Sequence, residues 1–359
     1  MAYHNRTRQS PNANDITIQN SPSDSVSSLS LNGDINTPSN MLIAGCWDKA
    51  VYCYQLQYGQ DGNITGALPQ AQIHHDGPVL CTDIASDGLT VFSGGADNAL
   101  KMWNPSQGNT AQTIGQHELP IRSVKVLSDL GVVATASWDK TVKLWDTRQP
   151  TPVHNIQLTD RAYSMDARGP AMVVGTGDRK LAVFDITQGH NFNKMREYDS
   201  PLSYQTRVVK IFHDVAGFAV GCIEGRVAIE YFDKNAAKNF LFKCHRDKKI
   251  PSENLSDLYS VNAISFTHLN TLLTGGSDGV MCYWDKDDKE KLKTFDAFKG
   301  QAPITDAIFS PMGNITVYSR CYDWSMGKEK HDPKMGCCIM IHQNTIQEIS
   351  PKKTTPGKK

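Results

Sequence analysis

The sequence lacks the long apolar runs of a membrane protein, since no stretch approaches the roughly 18 residues that a spanning helix needs. Met1 to Ser10 is polar where a secretory signal has an apolar segment. The chain also has no excess of charge, because 37 Lys and Arg residues balance 37 Asp and Glu residues. No overall field exists to hold nucleic acid or an anionic membrane, so any such binding has to be local. We therefore expect a soluble, non-secreted protein without membrane insertion.

Signatures of metal, disulfide and catalytic sites are missing as well. Nine scattered cysteines include no CxxC pair, so neither a zinc cluster nor a disulfide framework is predicted, and a reduced intracellular compartment fits best. We interpret the adjacent Cys337 and Cys338 as packing residues on opposite faces of a strand. HExxH, GxSxG, GxxxxGK[ST] and GxGxxG motifs are absent, and Gly175-Thr176-Gly177 is interpreted as a place where sheets approach closely. We predict no enzymatic activity, no cofactor and no metal.

The chain does contain an internal repeat. In each copy an Asp precedes an aromatic residue by six positions, and a sixth, degraded copy has Glu224 in place of the Asp. Each copy predicts a strand rich in small residues, a two-residue turn that begins at the Asp, and a second alternating strand. The five copies end at Tyr54, Trp103, Trp145, Phe184 and Trp284, with their acids at Asp48, Asp97, Asp139, Asp178 and Asp278.

A further alternating run precedes most copies, which gives four short strands in each period of roughly 40–50 residues. Four short strands in each repeat are typical of a propeller blade. A seventh copy is split by a polar insertion, Ser325 to Met335. The sequence therefore predicts an all-β fold, a seven-bladed β-propeller with four-stranded antiparallel blades.

A propeller is stable only if its two ends meet, because open strand edges promote aggregation. The segment Asp15 to Gln19 lies before the first inner strand, Val26 to Leu31, and is predicted to supply the outer strand of blade seven. We predict disordered ends at residues 1–14 and 349–359, the latter rich in lysine, around a propeller at residues 15–348. The segment Asp247 to Leu258 is predicted to be an inserted loop before blade six.

With Trp145-Asp146 and Trp284-Asp285, the repeat resembles the WD-repeat family. In that family a His, a hydroxyl residue, the turn Asp and the strand Trp form a buried hydrogen-bonded tetrad. A His lies 28 residues before the Trp in two copies, so the resemblance implies two such tetrads. Their role is structural, because buried polar groups are tolerated when they are partnered. The members are His75, Ser93, Asp97 and Trp103 in one copy, and His117, Thr135, Asp139 and Trp145 in the next.

The residue before each turn Asp is expected at the rim of the channel. There the sequence places Trp47, Trp138 and, in the irregular seventh copy, Cys321 or Tyr322. Basic side chains in later copies, including Arg226, Lys243 and Arg246, could flank the indoles and form a patch suited to an acidic peptide. These are the candidate partner-binding residues.

Longer segments narrow the resemblance. IEGRVAI, FKCHR, GGSDG and CYDWSMG make the chain similar, over about residues 15–348, to the nuclear-pore mRNA export factor family. This resemblance implies an adaptor that docks an acidic hairpin motif of a phenylalanine-glycine nucleoporin on its rim. It also implies location at the nuclear pore with cytoplasmic exchange, contact with mRNA-protein particles, and a chain that is monomeric alone.

Two other functions are kept as alternatives. The sister family of spindle-checkpoint propellers shares EGRVA, FKCHR and GGSDG, which would make the chain a scaffold for mitotic checkpoint proteins. A direct RNA-binding protein would need a strongly salt-dependent affinity carried by Lys and Arg, which the zero net charge disfavours.

Overall fold

Each sequence repeat folds as one four-stranded antiparallel sheet, and seven such sheets form a β-propeller. The computed structural model describes residues 14–187, 193–233, 238–250, 255–296, 299–332 and 335–350. The predicted fold class is confirmed within these residues. In every blade the first strand lies at the channel and each later strand lies further out.

The strands follow the repeats in chain order. The N-terminal strand and blades one to three consist of β1 (Asp15–Thr17), β2 (Val26–Leu31), β3 (Met41–Cys46), β4 (Ala50–Tyr58), β5 (Ile64–His74), β6 (Val79–Ile84), β7 (Val91–Gly95), β8 (Ala99–Trp103), β9 (Ala111–Gln116), β10 (Ile121–Leu127), β11 (Val132–Ser137), β12 (Thr141–Trp145) and β13 (His154–Gln157). Blades four and five consist of β14 (Ala162–Arg168), β15 (Ala171–Thr176), β16 (Lys180–Asp185), β17 (Asn193–Asp199), β18 (Thr206–Ile211), β19 (Gly217–Cys222), β20 (Arg226–Tyr231) and β21 (Phe240–Lys243).

The last third of the chain adds a hairpin, two blades and one helical turn. These elements are β22 (Arg246–Ile250), β23 (Leu255–Leu258), β24 (Val261–Phe266), β25 (Thr271–Gly276), β26 (Met281–Asp285), β27 (Glu290–Phe295), β28 (Ile304–Phe309), β29 (Ile315–Arg320), β30 (Cys338–Gln343) and α1 (Ile346–Ile349). The predicted inserted loop before blade six is thus a two-stranded hairpin, β22 with β23. The sequence of this segment does not predict strands, because it is short and charged and shows no clear alternation of apolar and polar residues.

The N-terminal strand closes the ring as predicted. β1 pairs antiparallel with β30, with Asp15 opposite His342. The Asp15 carboxylate accepts hydrogen bonds from Tyr318 Oη at 2.7 Å and from His342 Nδ1 at 2.6 Å. Three residues far apart in the chain are thereby joined in one buried cluster. Burial, and then the Asp15 charge, raise the pKa of Tyr318, so its hydroxyl stays a donor at neutral pH.

Neighbouring blades are joined by hydrogen bonds that the backbone N–H groups of one inner strand donate to side-chain oxygens of the inner strand before it. Leu29 N donates to Asp306 Oδ2 at 2.7 Å, which closes the seam between blades seven and one. Similar bonds cross five other seams and join Thr82 N to Ser28 Oγ, Val126 N to Asp83 Oδ2, Met165 N to Ser123 Oγ, Ile211 N to Asp166 Oδ2, and Phe309 N to Ser265 Oγ. At the remaining seam, between blades five and six, Arg207 Nε donates to Asn262 Oδ1.

Apolar packing between blades depends on close approach at the second strand. A Cβ on Gly94 would lie 2.6 Å from Ile121 Cγ2 of the next blade, and one on Gly175 would lie 2.8 Å from Thr206 Cγ2. The interpretation of Gly175 as a site of close sheet approach is therefore confirmed. Side chains from adjacent sheets fill the space between them.

The tetrad of blade three is complete, whereas that of blade two is not. Trp145 Nε1 donates to Thr135 Oγ1 at 2.7 Å, and His117 contacts Thr135 and Asp139 through its two ring nitrogens, each at 2.7 Å. In blade two, His75 contacts Ser93 and Asp97.

The indole of Trp103 does not join them, because its Nε1 donates to the carbonyl of Gly108 in the following turn. The predicted tetrad there is a triad. A complete tetrad that the sequence analysis did not identify lies in blade six and comprises His245, Thr274, Asp278 and Trp284. The inserted hairpin lengthens the spacing from His245 to Trp284 and hid it.

Two further expectations are corrected near the C-terminus. Cys321 and Cys337 form a disulfide across the polar insertion, although the cysteine spacing predicted none and Cys337 was interpreted as a packing residue. Ile349, assigned to a disordered tail, is buried, and its carbonyl accepts a hydrogen bond from Thr271 Oγ1. The propeller therefore extends at least to this residue.

Removing the closing strand tests the ring. We expect deletion of residues 1–22 to lower the melting temperature sharply. Asp15→Ala should lower the free energy of unfolding by about 1–3 kcal/mol for each of the two buried donors, His342 Nδ1 and Tyr318 Oη, that lose their acceptor. Thermal and denaturant unfolding measure both, and deletion of residues 1–12, before β1, is the matched control. Unchanged stability in both variants would show that the ring closes without β1.

The two blades with different indole contacts give a matched comparison. Thr135→Val removes a hydroxyl that contacts both Trp145 and His117, whereas Ser93→Ala removes one that contacts His75 alone. We expect Thr135→Val to cost about 1–3 kcal/mol more than Ser93→Ala, because an additional buried donor loses its acceptor. Urea unfolding measures the difference, and equal costs would contradict it.

Histidine protonation gives a pH dependence. Burial lowers the pKa of His117 from 6.5 to about 4, although the Asp139 carboxylate acts to raise it. Between these values the unfolded chain binds a proton that the folded chain does not, so stability falls as pH falls from about 6.5 to about 4. In His117→Gln we expect the free energy of unfolding to decline less over that range, by roughly 1–3 kcal/mol. Identical pH profiles for the two proteins would contradict this assignment.

Candidate functional site

A ring of seven side chains surrounds one mouth of the channel. The inner strand of every blade carries a β-bulge near its start, as between Val26 and Ser28 or between Ile121 and Ser123. A bulge re-aims the extra side chain, and here those side chains line the channel mouth or the small cavity beside it. The members of this bulge ring are Ser27, Leu80, Arg122, Tyr163, Arg207, Asn262 and Thr305.

The rim tryptophans stand at the tips of turns on this same mouth. Lys49 N donates to the carbonyl of Cys46, and Lys49 has a φ of 75°. The connection is therefore a tight turn with Trp47 and Asp48 at its centre, followed by a left-handed residue. It begins one residue earlier than predicted, and Trp138 occupies the equivalent position. Trp47 is 44% exposed, and both indoles line the channel mouth.

The seventh blade presents a different aromatic residue from the one predicted. Tyr322 is only 3% exposed, because its ring lies against Trp324 and His331 and its hydroxyl donates to the carbonyl of Gly327. Its side chain is therefore not available on the rim. Trp324 is 41% exposed and stacks on His331 at 5.0 Å between ring centres. The sequence contains both residues in its YDW segment, but the fixed offset from the turn Asp predicts Tyr322 on the rim and not Trp324.

Three predicted cations lie together on the hairpin of blade five and the strand after it. Arg226 and Lys243 are opposite each other on β20 and β21. Arg226 Nη2 lies 3.3 Å from Glu224 Oε1, and Arg246 Nη2 contacts the Glu224 carbonyl at 3.5 Å. We call Arg226, Lys243 and Arg246 the basic edge. None of them lines the channel with Trp47 and Trp138, so the predicted single patch consists of two separate parts.

The channel interior is charged, and its charges neutralise each other. Lys125 Nζ lies 3.2 Å from Asp83 and 3.8 Å from Asp166, and Lys210 Nζ lies 3.2 Å from Asp166. Burial opposes ionisation of Asp166, but Lys210 and then Lys125 outweigh it and lower the pKa of this carboxyl. These groups are ion-paired in a cavity of about 910 Å³, an arrangement that fastens blades together.

In the part of the chain that the structure describes, the buried thiols are protonated and no metal-binding cluster is present. Burial raises the pKa of the Cys81 thiol to about 12 and that of Cys282 to about 11, so neither is a thiolate near neutral pH. Among the described residues no three His, Cys, Asp or Glu side chains are grouped as metal ligands. The same residues contain no helix with the length and apolar character that a membrane span requires.

Comparison with known proteins agrees with this geometry. The family model described as WD domain, G-beta repeat matches residues 68–104 and 108–146, which end near Trp103 and Trp145. A solved structure, that of U3-55K, superimposes with a TM-score of 0.72 over 93% of this chain and 100% of the other, at 15% identity. This likeness shows the propeller fold alone.

Similarity at higher identity comes from curated relatives. The chain is 39% identical to mRNA export factor GLE2 of Chaetomium thermophilum, which covers 94% of this chain and 93% of the relative. It is 41% identical to Protein RAE1 of Arabidopsis thaliana, with 94% of each covered, and 35% identical to the Poly(A)+ RNA export protein of Schizosaccharomyces pombe, with 94% and 93% covered. The chain therefore belongs to the GLE2/RAE1 family of mRNA export factors.

Proposed function

We propose that the chain is a non-enzymatic adaptor that supports mRNA export by holding a short acidic motif of a phenylalanine-glycine nucleoporin on its propeller rim. Its relatives are named for mRNA or poly(A)+ RNA export and align along almost the whole chain. Among the described residues the channel lining offers ion-paired side chains and one buried, protonated thiol, that of Cys81. The rim is the part of the molecule that can bind a partner.

The basic edge is the observation that carries this proposal. The Nε atoms of Arg226 and Arg246 are buried and have no hydrogen-bond acceptor within the described residues. A buried donor without an acceptor costs about 1–3 kcal/mol. Lys243 is exposed beside Arg226, so two carboxylates of a bound peptide would find a guanidinium and an ammonium group together. Glu224 neutralises this edge only in part.

The channel mouth supplies the apolar half of the contact. Trp47 is exposed there, and Trp138 lies half-buried on the same side. Aromatic side chains and arginines supply much of the binding energy in protein interfaces. Tyr322 contributes indirectly, because its buried ring packs edge-to-face against the exposed Trp324, at 5.4 Å between ring centres. A peptide that runs from the mouth to the basic edge would contact both parts.

The location and assembly of the protein follow from this binding mode. A chain that docks on a nucleoporin would be found at the nuclear pore and in the nucleus, with cytoplasmic exchange. It would meet mRNA-protein particles through shared partners, because a formal charge of zero gives the chain no overall field that attracts RNA. The adaptor would be monomeric before it binds.

Charge reversal at the basic edge tests the proposal. We expect a peptide with the acidic nucleoporin motif to bind the full chain. Arg226→Glu should lower the affinity for this peptide by tenfold or more, because attraction of its carboxylates becomes repulsion. Trp47→Ala should weaken it by about 10–100-fold. Isothermal titration calorimetry measures both affinities.

Arg168→Glu is the matched control, because Arg168 is an exposed arginine at the far end of β14, away from the turn tips. Equal weakening in Arg168→Glu would show a non-specific charge effect.

Tagged protein purified from its own cells should be accompanied by a nucleoporin. Spindle-checkpoint kinases without any nucleoporin would contradict the export role and favour the checkpoint scaffold, and strongly salt-dependent RNA binding by the chain alone would favour direct RNA recognition.

A further inference from the structure

The bulge ring is braced by contacts between neighbouring blades, but not all the way round. Ser27 Oγ donates to the Val79 carbonyl at 2.5 Å, Arg122 Nη1 to the Leu80 carbonyl at 3.3 Å, and Asn262 Nδ2 to the Ile304 carbonyl at 2.9 Å. Together with Arg207 on Asn262, these bonds link blades one to three and blades five to seven. Within the described residues no side chain of the ring bridges blades seven and one, and none bridges blade four to either neighbour, which leaves a gap of two seams there.

A cavity of about 230 Å³ occupies this gap. Its wall contains three members of the bulge ring, Arg122, Tyr163 and Arg207, which come from blades three, four and five. The remaining lining residues are Trp138, Arg161, Gln205 and Thr206. We call this cavity the arginine pocket. It lies beside the channel mouth, with which it shares Arg122, Trp138 and Arg207.

Two residues of its wall each carry a buried polar atom without a partner. Trp138 Nε1 and Thr206 Oγ1 make no hydrogen bond with any described part of the chain. Buried donors are nearly always satisfied in folded proteins, so two in one small cavity indicate a missing acceptor. Since an indole N–H can only donate, the missing group must carry acceptor atoms.

The electrostatics point the same way. Three guanidinium groups line the pocket, and burial, followed by the charge of Arg122, lowers the pKa of Arg207 to about 10. None of the described residues that line the pocket carries a carboxylate. Asp160 pairs with Lys140 at 3.2 Å, and Asp323, whose charge acts to raise the pKa of Arg207, accepts hydrogen bonds from Ser277 and Asn262. The pocket therefore holds an excess of positive charge that no side chain in its wall offsets.

We propose that the arginine pocket binds a phosphate monoester carried on a side chain of a partner. A dianion matches three cations better than a single carboxylate does, and its three terminal oxygens can accept from the guanidinium, indole and hydroxyl donors together. The volume is below the 300 Å³ or more typical of small-molecule pockets, so the head group enters while the rest of the ligand lies outside. Arg161, Gln205 and the 52% exposed Tyr204 provide surface for that remainder.

The pocket shares Trp138 with the surface proposed for nucleoporin docking but shares no residue with the basic edge, so variants of Arg161 and Arg226 distinguish the two proposals. The probe is a blocked pentapeptide with one phosphoserine flanked by two glycines on each side. Its binding to the full chain is followed by ³¹P NMR at constant ionic strength. We expect saturable binding. Peptides with Glu or Ser at the central position, which carry no phosphorus, are measured as competitors of the phosphopeptide and should bind at least tenfold more weakly.

Two variants remove individual donors without emptying the core. Arg161→Gln removes one guanidinium that is exposed at the pocket entrance, and Trp138→Phe keeps an aromatic ring but loses the indole N–H. Both variants should lower the affinity for the phosphopeptide by about tenfold or more. Arg168→Gln, an arginine at the other end of β14, should leave its affinity unchanged. Circular dichroism confirms that each variant is folded.

Several outcomes would overturn the proposal. They are the absence of saturable binding, equal affinity for the Glu peptide, equal loss in Arg168→Gln, and binding of inorganic phosphate without binding of the phosphopeptide. The two proposals fail separately. Arg161→Gln should bind the acidic nucleoporin peptide as the unchanged chain does and bind the phosphopeptide weakly. Arg226→Glu should bind the phosphopeptide as the unchanged chain does and bind the acidic nucleoporin peptide weakly.

Discussion

The hydrogen bonds between inner strands are the contacts on which the rest of this propeller depends. Each sheet alone is a small four-stranded unit with two apolar faces, and it is stable only when neighbours cover both. The bonds that Leu29 N donates to Asp306 and Ile211 N donates to Asp166 fix how far each sheet is rotated from the next. Once that rotation is set, the bulged side chains converge on one mouth. The strand at Asp15 then joins the two ends of the chain.

Much of the fold could be predicted because its signals are local. An Asp near the turn, an alternating strand and an aromatic residue recur at a fixed spacing, and a left-handed residue such as Lys49 or Lys140 completes each turn. The closing strand was predictable from a general constraint on open edges. Contacts that depend on exact distances in space were not. The indole of Trp103 bonds to a carbonyl in its own turn, and Cys321 meets Cys337 only because an insertion folds back.

The candidate site was predictable in residue type more than in arrangement. The position before the turn Asp correctly indicated the exposed Trp47, because every turn presents its tip to the same side. The same offset failed for Tyr322, where an irregular turn exposes Trp324 instead. The bulge ring had no sequence signal at all, since a bulge is a property of pairing between strands. Arg122 and Arg207 appear in the sequence as ordinary alternating residues of two distant repeats.

The bulges also separate two kinds of position along each inner strand. Residues on either side of a bulge, such as Val26 and Ile121, pack in the core between sheets. The bulged residues have more varied surroundings, because Leu80 is buried, Asn262 fastens neighbouring blades and Tyr163 lines the arginine pocket. One repeated backbone geometry thus presents seven side chains of different chemistry at the same mouth.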